Sequence, residues 1–326
     1  MSDEFDDIAR LFRPLTGGAP EALGLMDDAA VIPSRPGFDL VVTKDAMVGG
    51  VHFLADDPPE LVARKLLRVN LSDLSAKAAE PYAYFLSVAW PHGTGPQVRE
   101  AFARGLAEDQ ALYGLVLLGG DTVSTPGPLS VSATMLGWVE SGRMVRRGGA
   151  RAGDVVLVTG EIGDGALGLK ALRGELSGLS DAHQEALATR YRLPEPRTGL
   201  RDALLTHASA AADVSDGLVA DAGHIGAASG MAVQIDLERL PLSRAAKAWV
   251  AMQPDRTAAL AELATGGDDY EVVCTADMDG AMRLAVAAAG LGLAFSPVGR
   301  VAEGEGTIAL HRGQPVRLER AGWRHG

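Results

Sequence analysis

The sequence predicts a two-domain α/β or α+β protein, and three observations carry this prediction. The chain has 326 residues, which is more than one compact hydrophobic core usually organises. Apolar segments with strand and helix periodicity alternate along both halves of the chain. A polar, glycine-rich stretch at residues 146–154 separates the halves, and we place the domains at residues 1–140 and 141–326.

The first half is predicted to begin with alternating strands and helices. Short apolar segments predict four strands, at residues 39–43, 84–90, 115–118 and 130–139. Longer amphipathic segments predict helices at residues 59–79 and 95–113. The strand at 115–118 is expected to end in a turn at Gly119-Gly120-Asp121, because adjacent glycines permit sharp turns.

The second half continues the alternation. Strands are predicted at residues 155–159 and 270–275, and the first of them runs into the glycine-rich segment 160–168. Helices are predicted at five segments, at residues 166–173, 182–191, 203–211, 218–228 and 278–289.

The composition and charge limit the class of protein. Hydrophobic residues make up 47% and charged residues 22% of the chain, which is ordinary for a globular protein. The formal net charge is −12, from 42 acidic and 30 basic residues, so we expect no nucleic-acid partner. No apolar run approaches the ~20 residues of a membrane span, and the acidic first residues do not resemble a signal peptide. The single cysteine, Cys274, excludes an internal disulfide and a cysteine-based zinc site, and we expect a cytoplasmic protein.

Short acidic segments carry the chemistry of the sequence. Six stand out, at Asp27-Asp28, Thr43-Lys44-Asp45, Asn70-Leu71-Ser72-Asp73, Gly119-Gly120-Asp121-Thr122, Asp213-Val214-Ser215-Asp216-Gly217 and Gly266-Gly267-Asp268-Asp269. Aspartates that converge on one cleft repel each other unless cations lie between them. Mg²⁺ prefers carboxylate oxygens and keeps substrate phosphates among its ligands, so the segments predict a magnesium site for a polyanionic substrate. Each segment alone is equally compatible with a turn or a helix cap.

Two further features leave alternatives open. Asn70, Asp73 and Lys77 are spaced to share one helix face, which is either solvated or directed at a site. His52 follows two glycines and either recognises a phosphate or a ring or stabilises a turn.

The usual nucleotide motifs are largely missing. No lysine follows a glycine, so there is no P-loop, and the protein-kinase, serine-hydrolase and zinc-protease motifs are absent. Residues 163–168 spell G-x-G-x-x-G, but three residues separate them from the end of the predicted strand. A phosphate-binding loop or a tight packing turn explains them better, which leaves an NAD-dependent dehydrogenase as a remote alternative.

The acidic segments together resemble the ordered motifs of the thiamine-monophosphate kinase family. The motifs that carry this resemblance include Met26-Asp27-Asp28, Gly49-Gly50-Val51-His52-Phe53, Asn70-Leu71-Ser72-Asp73-Leu74, Gly119-Gly120-Asp121-Thr122, Asp213-Val214-Ser215-Asp216-Gly217 and Gly266-Gly267-Asp268-Asp269-Tyr270-Glu271. The resemblance extends from about residue 6 to residue 323. It implies the two-domain fold of aminoimidazole ribonucleotide synthetase-like proteins, in which the N-terminal sheet pairs with that of its twin into a barrel across a homodimer. The first domain would then bind metal and ATP and form the dimer.

The resemblance also implies roles for individual residues. It places metal ligands at Asp28, Thr43, Lys44, Asp45, Asp73, Asp121, Asp213 and Asp216. It places ATP contacts at Gly120, Asp121, Arg147 and Ser215, with Asp73, Asp121 and Arg147 as the catalytic groups. It places thiamine monophosphate at His52, Asp268 and Trp323.

Three positions depart from the family pattern. Lys44 replaces a small hydroxyl residue beside a metal-binding aspartate, so it either contributes only its backbone carbonyl or has an ammonium that substitutes for an ion. Asp268 replaces a longer glutamate, and Met26 replaces a glycine.

The activity implied is Mg²⁺-dependent, in-line transfer of a phosphoryl group from ATP to thiamine monophosphate, giving thiamine diphosphate. A related ATP-dependent synthetase and a non-catalytic nucleotide- or metal-binding relative are the alternatives. A selenophosphate synthetase usually carries an N-terminal cysteine or selenocysteine, whereas Cys274 lies late in the chain.

Overall fold

The structure, a computed structural model, describes residues 4–323. The chain divides into two compact units. Unit 1 comprises the chain up to Leu74 together with Ala79–Arg143, and unit 2 comprises Ser75–Ala78 and the chain from Met144 onward. None of the helices in residues 4–323 combines the length and the apolar character that a membrane-crossing segment requires.

Unit 1 contains a four-stranded sheet and two long helices. It begins with short helical turns at Glu4–Asp7 (α1), Ile8–Phe12, Arg13–Thr16 and Pro20–Leu25. The main elements follow in the order β1 (Phe38–Val48), α2 (Pro59–Ala76), β2 (Glu80–Pro91), α3 (Pro96–Tyr113), β3 (Val116–Thr125) and β4 (Ser130–Glu140). The strand order is β1-β4-β2-β3, and β4 runs antiparallel to both of its neighbours while β3 runs parallel to β2.

The two faces of this sheet differ. The helix face, which includes Tyr84, Val88 and Met135, is buried under α2 and α3. There the Tyr84 hydroxyl donates to Oε1 of Gln110 on α3 at 3.0 Å. On the opposite face, the open face, Leu40, Val42 and Val123 are 37%, 55% and 50% exposed. Since successive side chains of a strand point to opposite faces, the register decides which acidic residue lies on which face.

The strands of unit 1 are longer than predicted, and this corrects one expectation. Gly119-Gly120-Asp121 lies within β3, paired with Phe85, Leu86 and Ser87, and does not form a turn. A Cβ on Gly120 would lie 1.9 Å from the carbonyl oxygen of Leu86, so glycine serves close strand approach there. Asp45 and Asp121 therefore project from strands and not from strand ends.

Unit 2 contains a seven-stranded sheet with helices on both faces. Its elements are β5 (Val155–Thr159), α4 (Asp164–Leu172), α5 (Asp181–Arg192), α6 (Arg201–His207), β6 (Ala210–Val214), α7 (Leu218–Ser229), β7 (Ala232–Asp236), α8 (Arg244–Met252), α9 (Arg256–Ala264), β8 (Glu271–Ala276), α10 (Met278–Gly290), β9 (Phe295–Ala302), β10 (Thr307–His311) and β11 (Gln314–Val316). The strand order is β11-β10-β7-β9-β5-β8-β6. One core joins the sheet to helices that include α4, α7, α8 and α9, and a second core joins it to α6 and α10.

One predicted helix of unit 2 is wrong. The helix expected at residues 203–211 ends at His207, and Ala210–Val214 forms strand β6. The alanines favour a helix by propensity, but each residue of β6 is at most 4% exposed and pairs with β8. Burial and strand pairing override the local preference. Residues 232–264 and 295–316, for which no elements are predicted, form three further helices or helical turns and four strands.

Candidate functional site

In unit 1, strand β1 and helix α2 bring a group of predicted ligands together on the helix face. The Thr43 hydroxyl donates to a carboxylate oxygen of Asp73 at 2.5 Å. The backbone N–H of Asp45 donates to the side-chain oxygen of Asn70 at 3.1 Å. Asn70 is fully buried and Asp73 is half-buried, so this helix face is directed at β1 and is not a solvated surface.

Asp45 and Asp73 repel one another. Burial, and secondarily the negative charge of Asp73, raise the pKa of Asp45 to about 7. A divalent cation between two such carboxylates would remove this penalty, and oxygen donors of this kind suit Mg²⁺. The residues present therefore fit the ion that the sequence predicts.

Lys44 and Asp121 lie on the open face of the same sheet. The Lys44 ammonium donates to the hydroxyls of Ser132 at 2.8 Å and Thr134 at 3.5 Å. Ser132 pairs with Ser87, and Ser87 pairs with Asp121. Because Asp45 pairs with buried Ala133, the register places Asp45 and Asp121 on opposite faces. The Lys44 side chain is a cross-strand donor on the face opposite to Thr43 and Asp45.

Asp28 and Asp121 line a common cavity of about 440 Å³ in unit 1. Gly119 and Gly120 form part of its wall. Its apolar lining comes from residues of the first helical turns and of strands β2 and β3, including Ile8, Phe12, Leu25, Phe85 and Leu117. An apolar cavity with carboxylates and strand glycines at one side has the size and character of a small-ligand site.

His52 is held in one orientation within unit 1. Its Nδ1 accepts a bond from the backbone N–H of Val48 at 3.1 Å, and its backbone carbonyl accepts from the buried ammonium of Lys65 at 3.2 Å. A neutral imidazole that accepts at Nδ1 carries its proton at Nε2. His52 can therefore donate a hydrogen bond through Nε2, and it also stabilises its turn.

In unit 2, the loop after β6 is organised by Asp221. One carboxylate oxygen of Asp221 accepts three backbone N–H groups, those of Ser215 at 3.0 Å and of Asp216 and Gly217 at 3.1 Å. Burial, and then the charge of Asp216, raise the pKa of Asp221 to about 7, although these bonds and the charge of Arg147 act in the opposite direction. The loop that presents Ser215 and Asp216 is thus wrapped around a side chain of helix α7.

The acidic pair at 268–269 joins this loop. The backbone N–H of Asp268 donates to the carbonyl of Ser215 at 2.9 Å, and that of Tyr270 donates to the carbonyl of Val214 at 2.7 Å. Asp268 is half-buried, whereas Asp269 is fully buried. The Asp269 carboxylate accepts from the backbone N–H groups of Gly163 at 2.8 Å and Gly165 at 3.0 Å, and burial raises its pKa well above the ordinary value.

These bonds identify the G-x-G-x-x-G segment as a packing turn. Two of the N–H groups at the start of α4 that could bind a phosphate, those of Gly163 and Gly165, are taken by Asp269. A Cβ on Gly165 would lie 2.3 Å from the backbone oxygen of Asp268. Of the two interpretations left open by the sequence, the tight turn is therefore the one observed.

The remaining predicted residues of unit 2 lie around the same loop. The backbone N–H of Trp323 donates to the carbonyl of Asp216 at 2.9 Å, and the Trp323 side chain is 48% exposed. Arg147 is exposed, and its charge acts on the Asp221 carboxylate. Asp213 is 4% exposed within β6, directly before the loop.

Within residues 4–323, one group of three possible metal-binding side chains has its donor atoms within 4.8 Å of one another, formed by Asp216, Asp221 and His224. Asp221 already accepts three backbone bonds, so Asp216 is the member best placed to bind an additional ion. The aspartates of unit 1 form pairs and not a group of this kind.

Four residues that organise the site were not predicted as site residues: Asn70, Asp221, Asp269 and Tyr270. A signal existed for Asp221, since an acidic side chain in the first turn of a helix commonly accepts the loop N–H groups before it. The doublet Asp268-Asp269 gave no indication of which aspartate is buried.

Comparison with known proteins places this architecture in one class. Residues 26–139 match the family model "AIR synthase related protein, N-terminal domain", and residues 151–311 match the corresponding C-terminal domain. The chain belongs to the AIR synthase related proteins, and the predicted fold class is confirmed.

Within that class, three similar proteins identify the family. The thiamine-monophosphate kinase of Caulobacter vibrioides is 59% identical over 323 residues, which cover 99% of this chain and 91% of the relative. The crystal structure of thiamine-monophosphate kinase from Stenotrophomonas maltophilia K279a has a TM-score of 0.83 at 36% identity and covers 96% of both chains. The structure of AaThiL complexed with AMPPCP and TMP has a TM-score of 0.79 at 31% identity, covering 90% of this chain and 89% of that one. This chain is a member of the thiamine-monophosphate kinase family, which confirms the resemblance seen in the sequence.

Proposed function

We propose that this chain transfers the γ-phosphoryl group of ATP to the phosphate of thiamine monophosphate, producing thiamine diphosphate and ADP. The observation that carries the proposal is family membership along 99% of the chain, at 59% identity to a thiamine-monophosphate kinase. A structural neighbour that binds AMPPCP, an analogue of ATP, together with TMP supports the choice of both substrates. The paired carboxylates and the apolar cavity described above are the groups that this reaction needs.

Each unit carries residues that the sequence assigns to ATP. In unit 1, Gly120 and Asp121 border the 440 Å³ cavity, whose apolar wall suits a purine ring. In unit 2, Ser215 is held on a loop fixed by three backbone bonds to Asp221, and the charge of the exposed Arg147 acts on the same Asp221 carboxylate. We assign these four residues to nucleotide binding.

Magnesium would be held by the acidic residues that the sequence predicts. Thr43, Asp45 and Asp73 form one candidate set on the helix face, and Asp28 and Asp121 share the cavity. In unit 2, Asp213 and Asp216 complete the set. Bound Mg²⁺ would neutralise the negative charges of the phosphates. Lys44 contributes a permanent positive charge on the open face, where its ammonium is held by Ser132.

Thiamine monophosphate would be recognised by His52, Asp268 and Trp323. Nε2 of His52 can donate to a phosphate oxygen, because Nδ1 is occupied by the Val48 N–H. The Asp268 carboxylate complements the positively charged thiazolium ring, and the exposed ring of Trp323 offers a surface for a cationic heterocycle.

The chemistry demands little from the protein beyond position and charge. The acceptor phosphate is already anionic, so no strong general base is required. Asp73, Asp121 and Arg147 are assigned as the catalytic groups: the two carboxylates would hold Mg²⁺, and the guanidinium of Arg147 would neutralise phosphate charge. Transfer would then be direct and in line, without a phosphorylated protein intermediate.

Assembly and compartment are parts of the same proposal. The open face of the unit 1 sheet exposes Leu40, Val42 and Val123, which supports a homodimer in which two such faces close a barrel. The first domain, residues 1–140, would bind metal and ATP and form the dimer, and residues 141–326 would form the second domain. A cytoplasmic location stays a prediction from the sequence.

The test is a product assay with purified protein, ATP and Mg²⁺. We expect ADP and thiamine diphosphate in equal amounts when thiamine monophosphate is added, no phosphoryl transfer to unphosphorylated thiamine, and no turnover after EDTA until Mg²⁺ is restored. Incubation with γ-labelled ATP alone should leave the protein unlabelled. Binding of ATP without any ADP release would favour a non-catalytic relative, and ADP release without thiamine diphosphate would favour another ATP-dependent synthetase.

A further inference from the structure

The segment that carries Asp268 has an unusual backbone. Asp268 and Tyr270 have φ values of +68° and +51°, a region that side-chain-bearing residues seldom occupy. Between them lies Asp269, whose side chain is fully buried. Such conformations cost free energy and persist where the surroundings impose them, often at binding sites.

Anchors on each side impose this conformation. The Asp269 carboxylate is bound by the N–H groups of Gly163 and Gly165, and its carbonyl accepts from Arg190 at 2.7 Å. The backbone N–H groups of Asp268 and Tyr270 are bound to the loop after β6. The backbone on either side of Asp268 is thus fixed, and what remains to be set is the direction of its carboxylate.

The Tyr270 hydroxyl sets that direction. It donates to Oδ1 of Asp268 at 3.0 Å, across two residues that both have positive φ. In an ordinary strand, residues two apart point to the same side but stand too far apart for so short a carboxylate to reach a tyrosine hydroxyl. The left-handed conformations bring the two groups together.

We propose that Tyr270 is a positioning residue for substrate recognition, which holds the Asp268 carboxylate toward the cationic ring of thiamine monophosphate. This inference rests on the function proposed above. A carboxylate can accept hydrogen bonds in about four directions. The bond from Tyr270 therefore fixes the orientation of the Asp268 carboxylate without using all of its acceptor capacity. An aspartate side chain is short, so its direction decides which groups it can reach.

The first experiment is Tyr270→Phe, which removes one oxygen and keeps the ring. We expect the KM for thiamine monophosphate to rise about tenfold, as befits loss of one hydrogen bond to a charged group. The kcat and the KM for ATP should stay within about twofold, because the Tyr270 hydroxyl bonds to Asp268, which is assigned to thiamine monophosphate and not to ATP. Tyr113→Phe is the matched control: it also removes a tyrosine hydroxyl, from α3 in unit 1, and should leave all three constants unchanged.

A double-mutant cycle then separates positioning from a general structural role. Asp268→Gly removes the carboxylate and tolerates the positive φ. In that background Tyr270→Phe should change the KM for thiamine monophosphate by less than about twofold, because its partner is gone. An equal effect in both backgrounds would overturn the inference, as would an unchanged KM in the single variant.

The outcomes also distinguish this inference from the proposed function. If the wild-type protein makes no thiamine diphosphate, the proposed function fails and this inference fails with it. If the wild type is active and Tyr270→Phe is indistinguishable from it, only this inference fails. A Tyr270→Phe protein that does not fold, judged by circular dichroism and thermal unfolding, would show that the hydroxyl stabilises the fold and would likewise reject a positioning role.

Discussion

The acidic residues of unit 1 and those of unit 2 differ in the groups that their carboxylates contact. In unit 2, Asp221 and Asp269 are buried, and each accepts two or three backbone N–H groups. In unit 1, none of the backbone N–H groups in the described part of the chain donates to the carboxylates of Asp45, Asp73 or Asp121. There, Asp45 faces Asp73 and its pKa is raised to about 7.

This difference separates two uses of aspartate. A carboxylate that accepts several backbone N–H groups shapes a loop, and its hydrogen-bond partners lie within the chain, although burial still raises its pKa. A carboxylate that faces another carboxylate is compensated only when something positive binds. The acidic segments therefore contain both the residues that build the site and the residues that we assign to metal ions.

The largest expected effect concerns the uncompensated carboxylates. Asp73→Asn should lower kcat about a hundredfold or more, because it removes charge from the metal-holding set while the Thr43 hydroxyl can still donate to the amide oxygen. The measurement is steady-state turnover at saturating ATP and Mg²⁺. In the absence of Mg²⁺ the same variant should be no less stable than the wild type, because repulsion with Asp45 is relieved.

Asp39→Asn is the control for this variant, since Asp39 is an exposed carboxylate of strand β1, which also carries Thr43, and it accepts hydrogen bonds from Ser141 and Gly142. It should stay within about threefold of wild-type turnover.

Asp121→Asn tests the carboxylate on the open face of the unit 1 sheet and should also lower kcat about a hundredfold. A variant at Asp73 or Asp121 that stays within threefold would remove that residue from the catalytic set.

The second expected effect concerns unit 2, where helix α4 packs closely against the segment that carries Asp268 and Asp269. Gly165→Ala should destabilise the protein by about 1–3 kcal/mol, because its Cβ would lie 2.3 Å from the backbone oxygen of Asp268. Gly290→Ala is matched, because Gly290 also lies in a helix and its Cβ would meet nothing within 4 Å. That change should be neutral or stabilising by up to about 1 kcal/mol. Chemical unfolding in guanidinium measures both, and equal stabilities would contradict the packing-turn interpretation.

The sequence predicted the fold class and located the acidic segments, whose individual roles stay predictions. The acidic segments were found because short carboxylates beside glycines are visible in a sequence, and family membership fixes their order. Periodicity located the long elements, such as α2 and α3, to within a few residues. It misassigned Ala210–Val214, because a run of alanines favours a helix until pairing with β8 is known.

What sequence could not provide is the partner of each carboxylate. Asp268 and Asp269 are chemically identical neighbours, yet one is half-buried and the other takes the N–H groups of Gly163 and Gly165, about a hundred residues away. Likewise, only the strand register reveals that Asp45 and Asp121 lie on opposite faces of one sheet. Both facts depend on contacts distant in sequence, which a local pattern does not encode.

The smallest expected effect is a pH dependence at Asp164, a buried acid of unit 2 that lacks the backbone donors of Asp221 and Asp269. Burial raises the pKa of Asp164 to about 6 from an ordinary 3.8, although Ser243 donates to it at 2.7 Å. Between these two values the folded protein keeps a proton that the unfolded chain has released, so the stability contributed by this group falls as pH rises. Asp164→Asn keeps an acceptor for Ser243 but never ionises. Its free energy of unfolding should therefore rise relative to that of the wild type as pH rises from 4 to 7, with the difference levelling above about pH 6.

Asp181→Asn is the control, because Asp181 is an exposed carboxylate at the first position of α5, as Asp164 is at the first position of α4. This variant should differ from the wild type by no more than about 0.5 kcal/mol at each pH. Unfolding curves of wild type and Asp164→Asn that stay parallel across this range would mean that Asp164 is compensated after all, and that the distinction between the two kinds of carboxylate does not extend to it.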